Sequence, residues 1–336
     1  MRTDRALCAA TIAVAGLVSP PVANVASAQA FVPGKDEMTV SVMYQNLFVN
    51  RHYAITTSDR GLAGQTDSST LVIDMTYGLT RKLAVDFGVP VVAGKYSGIR
   101  PHPTVLDDGS YHTTFQDFRL SLRYNLVSKG VVLTPVVALI IPSHDYEFYA
   151  HAAPGKRLRM LQFGAYAAKI LDPLIPGAFV QARYSFGFVE KVIDISRKRS
   201  DLDVEVGYFI TEKLRAFALG HGQVTHGGLD WPLNYLRIWT PSQIAHHDQI
   251  TRENFLNVGG GAALSLSDNV DLFGSFMRTV AARNAHAHDR MLSIGLSFSV
   301  RRPSSAQEAP LITAAASERS GREGSLVRCV CQKGGR

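Results

Sequence analysis

Between Phe31 and Val300 the dominant repeat is two residues. A chain that alternates at that period over stretches of ten residues or more is committed to strands with one apolar and one polar face. In SSTLVIDMTYG, Leu71, Ile73, Met75 and Tyr77 fall on one face, and Thr70, Val72, Asp74 and Thr76 on the other. A short turn at Leu79 to Arg81 leads into KLAVDFGVPV, where Leu83, Val85, Phe87 and Val89 oppose Ala84, Asp86 and Gly88. Two alternating runs joined by so short a link predict a hairpin. FQDFRLSLRYNL repeats the pattern, with Phe118, Leu120, Leu122 and Tyr124 against Asp117, Arg119, Ser121 and Arg123.

Carried along the chain, the alternation predicts twelve strands, over residues 38–49, 68–78, 82–92, 115–126, 131–141, 158–170, 177–189, 199–210, 214–224, 252–266, 270–280 and 289–300. Most exceed the soluble-protein mean of about 5 to 6 residues and match the roughly 9 to 11 that cross a bilayer at a tilt. The links after strands one, three, five, seven, nine and eleven read as long, whereas those at 79–81, 127–130, 211–213 and 267–269 are short. Outer-membrane barrels alternate short periplasmic turns with long outer loops in this way. A secreted β-sandwich shares the period, so the aromatics matter. Tyr77, Tyr124, Tyr208 and Phe298 fall on the apolar face near the short-turn end, where an interfacial girdle stands. A sheet in lipid must close, because its edge groups find no water. The expected fold is all-β: an antiparallel transmembrane β-barrel of about 12 strands.

The ends are different in kind. Arg2 and Arg5, an apolar run, Pro20, Pro21 and the small-residue series Ala26-Ser27-Ala28-Gln29-Ala30 have the layout of a secretory signal, so residues 1–30 are expected to be a signal peptide and 31–300 the barrel. Residues 301–336 lack a sustained period and are rich in Ser, Ala, Arg and Gly, which predicts a flexible periplasmic tail carrying Cys329 and Cys331. The formal charge of +7 sits mostly in these ends: residues 31–300 hold 26 Lys and Arg against 24 Asp and Glu. A nucleic-acid partner therefore loses its electrostatic support. With 46% hydrophobic and 19% charged residues, the chain is neither disordered nor a helical membrane bundle.

The polar face is expected to line the interior. Asp74, Asp86, Asp117, Arg119, Arg123, Gln181, Arg183, Asp201, Asp203 and Glu205 are the lumen-lining candidates, with acids and bases on adjacent strands. They either polarise a pore or neutralise one another to hold the wall rigid. Twelve strands give a small bore, which the loops or the segment Phe31 to Glu37 can narrow further. Gly259, Gly260 and Gly261 predict a bend or bulge, with a lateral opening for apolar solutes as the alternative. Ten of the histidines map to long loops or their margins: His52, His102, His112, His144, His151, His226, His246, His247, His286 and His288. Their pairs lack a recognisable partner spacing and read as solvated, so no metal site is assigned. His221 is left as the strand histidine, without an assignable serine partner. There is no G-x-S-x-G, H-E-x-x-H or phosphate-cradling glycine motif, so no catalytic residue and no cofactor is assigned and the chain is not read as an enzyme.

The stretches LTRKLAVDFGVPVV, FQDFRLSLRYNL, ALIIPSHDY and FMRTVAARNAHAHDRMLSIGLSFSV resemble outer-membrane barrels associated with phenol meta-pathway degradation, over most of residues 38–300. That resemblance implies a channel or transporter in the outer membrane of a Gram-negative cell, passing small hydrophobic or aromatic molecules without a cofactor. Its partners would be outer-membrane lipid, those solutes, and the barrel assembly machinery during biogenesis. The alternative is a structural or adhesive barrel whose long loops bind an external partner.

Overall fold

The computed structural model describes residues 30–53, 58–60, 64–99, 104–232 and 234–301. The expected signal peptide up to residue 29 and the tail with Cys329 and Cys331 lie outside them. Twelve long strands form the wall: β1 Glu37–Tyr53, β2 Gln65–Gly78, β3 Leu83–Ser97, β4 Asp117–Tyr124, β5 Val132–Pro142, β6 Met160–Ile170, β7 Ala178–Val189, β8 Arg197–Phe209, β9 Leu214–Gly227, β10 Asn254–Ser267, β11 Val270–Arg283 and β12 Ala285–Arg301. Two short strands, Ser58–Arg60 and His112–Phe115, extend the pairing of β1 and β3. Each long strand pairs antiparallel with its sequence neighbours, and β12 pairs back with β1. Ser41 on β1 donates to Ser297 on β12 at 3.1 Å, and Gln45 to Ser293 at 3.1 Å, so side chains also stitch this closure. The result is a closed antiparallel barrel, which removes the edges that a bilayer cannot solvate.

The predicted strands all form, and most extend further at the long-loop end, as β1 does to Tyr53 and β3 to Ser97. The link after β11 departs from expectation. It is the single residue Asn284, at φ 53°, with the ladder between β11 and β12 running from Val270–Phe298 to Met277–Met291. Asparagine tolerates this left-handed backbone. The link after β9 instead carries three short helices, α1 Tyr235–Ile238, α2 Pro241–Ala245 and α3 His247–Ile250. Thr240 and Gln243 form a capping box at the start of α2.

Burial is inverted relative to a water-soluble protein. Leu71, Phe87, Leu120, Leu122, Val137 and Leu139 are 37–48% exposed, while Arg123, Ser121 and Asp201 are buried. Adjacent residues show the rule: Leu120 is 48% exposed and Ser121 only 3%. An apolar outer band over a polar interior is the arrangement that lipid on one side and a lumen on the other demand. Tyr77, Tyr124 and Tyr208 are exposed beside the short turns at 79–82, 125–131 and 210–213, and Phe298 pairs with Val270 at the same end.

The glycine triplet does not mark the bulge. The register shifts lie between Leu256 and Asn257 and between Ser265 and Ser267, while β10 stays in register through Gly259, Gly260 and Gly261. A Cβ on Gly261 would meet the Phe217 ring at 2.6 Å, and one on Gly259 would meet the Phe276 carbonyl at 2.0 Å. The glycines make room for a ring and for a close neighbouring strand.

Candidate functional site

All ten lumen-lining candidates lie on the face opposite the exposed apolar side chains, and most are drawn into one network. Asp86 accepts from Thr76 at 2.8 Å and Ser121 at 2.5 Å, and its carboxylate pairs with Arg123 at 2.7 Å. Asp74 reaches over Gly88, where a Cβ would come within 2.6 Å of its Oδ1. Farther round, Asp201 accepts from Gln162 at 2.8 Å and Ser185 at 3.2 Å, with Arg199 at 3.3 Å. Arg183 lies 3.9 Å from Asp203, which is bonded to His221 Nδ1 at 2.6 Å, and Gln181 donates to Glu205 at 2.7 Å. Arg123 and Arg183 both stand 5.6 Å from the centroid of the Tyr166 ring, one from each side of the arc. Tyr166 is absent from the sequence-based candidates; Arg183 lies directly opposite it on the next strand, but Arg123 comes from two strands back. Asp117 is set apart at the long-loop end, where the Tyr146 hydroxyl donates to it.

The interior is not polar throughout, contrary to the expectation from alternation. Met43, Val72, Phe217, Ala263 and Phe273 are buried together, and Leu219 joins them to Leu47, Met277 and Met291. These come from β1, β2, β9, β10, β11 and β12, a continuous arc of the wall across its closure. The remaining arc, β3 to β8, holds most of the charge, although Val132 and Val136 on β5 are also buried. One side of the lumen is therefore an apolar seam and the other a charged ladder.

Segments cross both mouths. At the short-turn end, the Ala30 carbonyl accepts from Thr134 on β5 at 2.5 Å, and Ala30 and Phe31 pack on Val132, Val136, Tyr166 and Ala168. The chain then reaches β1, four strands away round the wall, passing so close to Gly78 that a Cβ there would lie 2.0 Å from the Gly34 carbonyl. At the opposite end, the link 143–159 carries His151 from β5 across to Tyr96 on β3, where the rings stack at 4.6 Å. Buried Asp107 accepts from the His151 and Ala152 amides at 3.1 and 3.0 Å, and Thr66 donates to the His151 carbonyl at 3.2 Å. The helical link 228–253 packs against it: Gln249 donates to the Lys156 carbonyl at 2.7 Å, and Lys156 meets Glu253 at 2.5 Å. Ile250 is wholly buried. Burial lowers the Lys156 ammonium pKa, against the pull of Glu253. Burial opposes ionisation of Asp248, but His247, His286 and Lys156 outweigh it and hold its carboxyl below the usual range.

The histidines are not all loop residues: His52, His112, His226, His286 and His288 join His221 in strands. His221 is 2% exposed, and its recorded partner is the carboxylate of Asp203.

Neither a family model nor a curated protein sequence matches the chain. Among solved structures, an outer membrane channel from Pseudomonas putida F1 is similar, with a TM-score of 0.64 at 14% identity over 82% of this chain and 100% of that one. The NanC porin gives 0.45 at 8% identity over 77% and 98%. The translocator domain of the autotransporter NalP from Neisseria meningitidis gives 0.46 at 10% over 79% and 89%. With the apolar outer band and the closed sheet, the first of these establishes the fold as that of an outer-membrane β-barrel.

Proposed function

We propose that the protein is an outer-membrane channel for the passive passage of small molecules with an apolar or aromatic body. The observation that carries this reading is the apolar seam inside the barrel. A lumen built for sugars or ions has no use for Met43, Phe217, Leu219, Phe273, Met277 and Met291 on its inner face. These side chains are packed on one another and, Leu219 apart, almost fully buried, and methionine and phenylalanine, being soft and polarisable, can part around a ring-shaped solute. Opposite them, Tyr166 between Arg123 and Arg183 and the paired acids supply hydrogen-bond donors and acceptors to a polar substituent. A solute with one apolar and one polar side is matched by two such walls. The ten charged and amide side chains act in this reading as a rigid polar wall, since six of them pair with one another and Asp201 and Asp117 are held by Arg199 and Tyr146. The girdle of Tyr77, Tyr124, Tyr208 and Phe298 sets the depth of the barrel in lipid. The expected arrangement of a cleaved leader, the barrel and a periplasmic tail completes the proposal, as does delivery by the barrel assembly machinery. The resemblance to barrels of phenol meta-pathway degradation agrees with such a solute.

Ion current through the full-length protein in a planar bilayer tests this. A conducting barrel whose current is interrupted by benzoate but not by acetate supports the channel and its preference for rings. A barrel that passes no current favours the adhesive alternative, and equal interruption by both anions removes the aromatic preference.

A further inference from the structure

We propose that His52, His151 and His286 form a binding site for a late first-row divalent metal ion, zinc or copper, at the long-loop mouth of the barrel. Each offers one ring nitrogen, and these three atoms lie within 4.8 Å of one another. The residues arrive from three separate places: the end of β1, the apex of the link 143–159, and the start of β12. Their rings meet directly, His52 and His286 with centroids 4.4 Å apart, His52 and His151 at 5.5 Å, and His151 and His286 at 6.0 Å. Tetrahedral zinc with bonds of about 2.0 Å places its nitrogen ligands about 3.3 Å apart, so a small turn of the rings closes the set.

Two further observations point to a cation. The Nε2 atom of His286 is buried and makes no hydrogen bond, a donor or acceptor held out of water with nothing to satisfy it. Beside it stands Asp248, whose Oδ1 is 3.9 Å from that nitrogen, too far for a hydrogen bond but close enough to lend negative charge. Arg51, one residue before His52, is already engaged with Asp289, and Lys156 with Glu253. Three imidazoles leave one position open for water, the arrangement that neutral nitrogen ligands give zinc or copper. The sequence conceals the site because its ligands are spread across most of the chain, with no short spacing between any two. A bound ion ties the inward-folded link to both strands of the barrel's closure, so occupancy holds that link across the mouth.

The test is a calorimetric titration of zinc into the full-length barrel, stripped with chelator and carrying Cys329→Ser and Cys331→Ser so that the tail thiols do not compete. One zinc per chain is expected, with His286→Ala and His151→Ala each weakening binding at least about tenfold and His226→Ala leaving it unchanged. His151 lies on a link rather than a wall strand, so its variant reports even where His286→Ala fails to fold. Zinc should also lower the conductance of the parent barrel and not of His151→Ala. Absence of binding, or equal affinity in parent and His151→Ala, overturns the proposal.

Discussion

The two sides of the barrel wall handle the same alternation differently. On the arc from β3 to β8 the inner positions hold Asp86, Arg123, Arg183, Asp201 and Glu205, each given a partner by a neighbouring strand. On the arc across the closure, the inner positions of β1, β9, β11 and β12 hold Met43, Phe217, Phe273 and Met291, which need only one another. The charged arc is stable because its groups are paired, and it becomes costly when a single partner is lost. The seam loses stability in proportion to the volume removed. The outer face is uniform by comparison, because lipid makes the same demand all round.

That contrast is broken most severely at a buried pair. Arg123→Ala strands Asp86 among Thr76 and Ser121, and is expected to cost about 4 kcal/mol in the unfolding free energy measured with denaturant. Adding Asp86→Ala should recover much of the loss, which a packing effect alone would not do. On the seam, Phe273→Ala should cost about 3 kcal/mol with no such rescue by a second truncation. On the lipid face, Leu122→Arg should cost about 2 kcal/mol, whereas Gln181→Arg, inside and beside Glu205, should leave stability nearly unchanged and shift ion selectivity towards anions. The smallest effect is expected at the short-turn mouth: Thr134→Ala removes the hydroxyl to which Asn125 donates at 3.1 Å, worth about 1 kcal/mol in the same denaturant measurement.

Strand positions and the face of each side chain were legible because period two is a local property: Leu120 and Ser121 part company whatever surrounds them. The pairing of Asp86 with Arg123 was also within reach, since β3 and β4 are neighbours in sequence. The seam was not. Val72 sits among Thr70, Asp74 and Thr76, and nothing local tells that it meets Phe217 and Phe273 across a closed lumen. The three clustered histidines were hidden for the same reason, lying at residues 52, 151 and 286. The single-residue link at Asn284 was missed because the polar, histidine-rich stretch 281–288 reads as a loop, although in the structure all of it but Asn284 lies in β11 or β12. Gly261 misled in the opposite sense, because glycine in a strand signals a bulge as readily as a ring packed against the backbone.

The central claim is that the seam and the ladder do different work on a passing solute. The most direct measurement compares Leu219→Asn with Gln181→Arg in a planar bilayer, reading the interruption of ion current by benzoate and by acetate together with the reversal potential. Leu219→Asn should weaken the benzoate effect about tenfold, the equivalent of a lost leucine contact, with the reversal potential unmoved, and Gln181→Arg should do the converse. If both variants change ion selectivity alike and leave the distinction between benzoate and acetate intact, the two walls are not functionally distinct and the account fails.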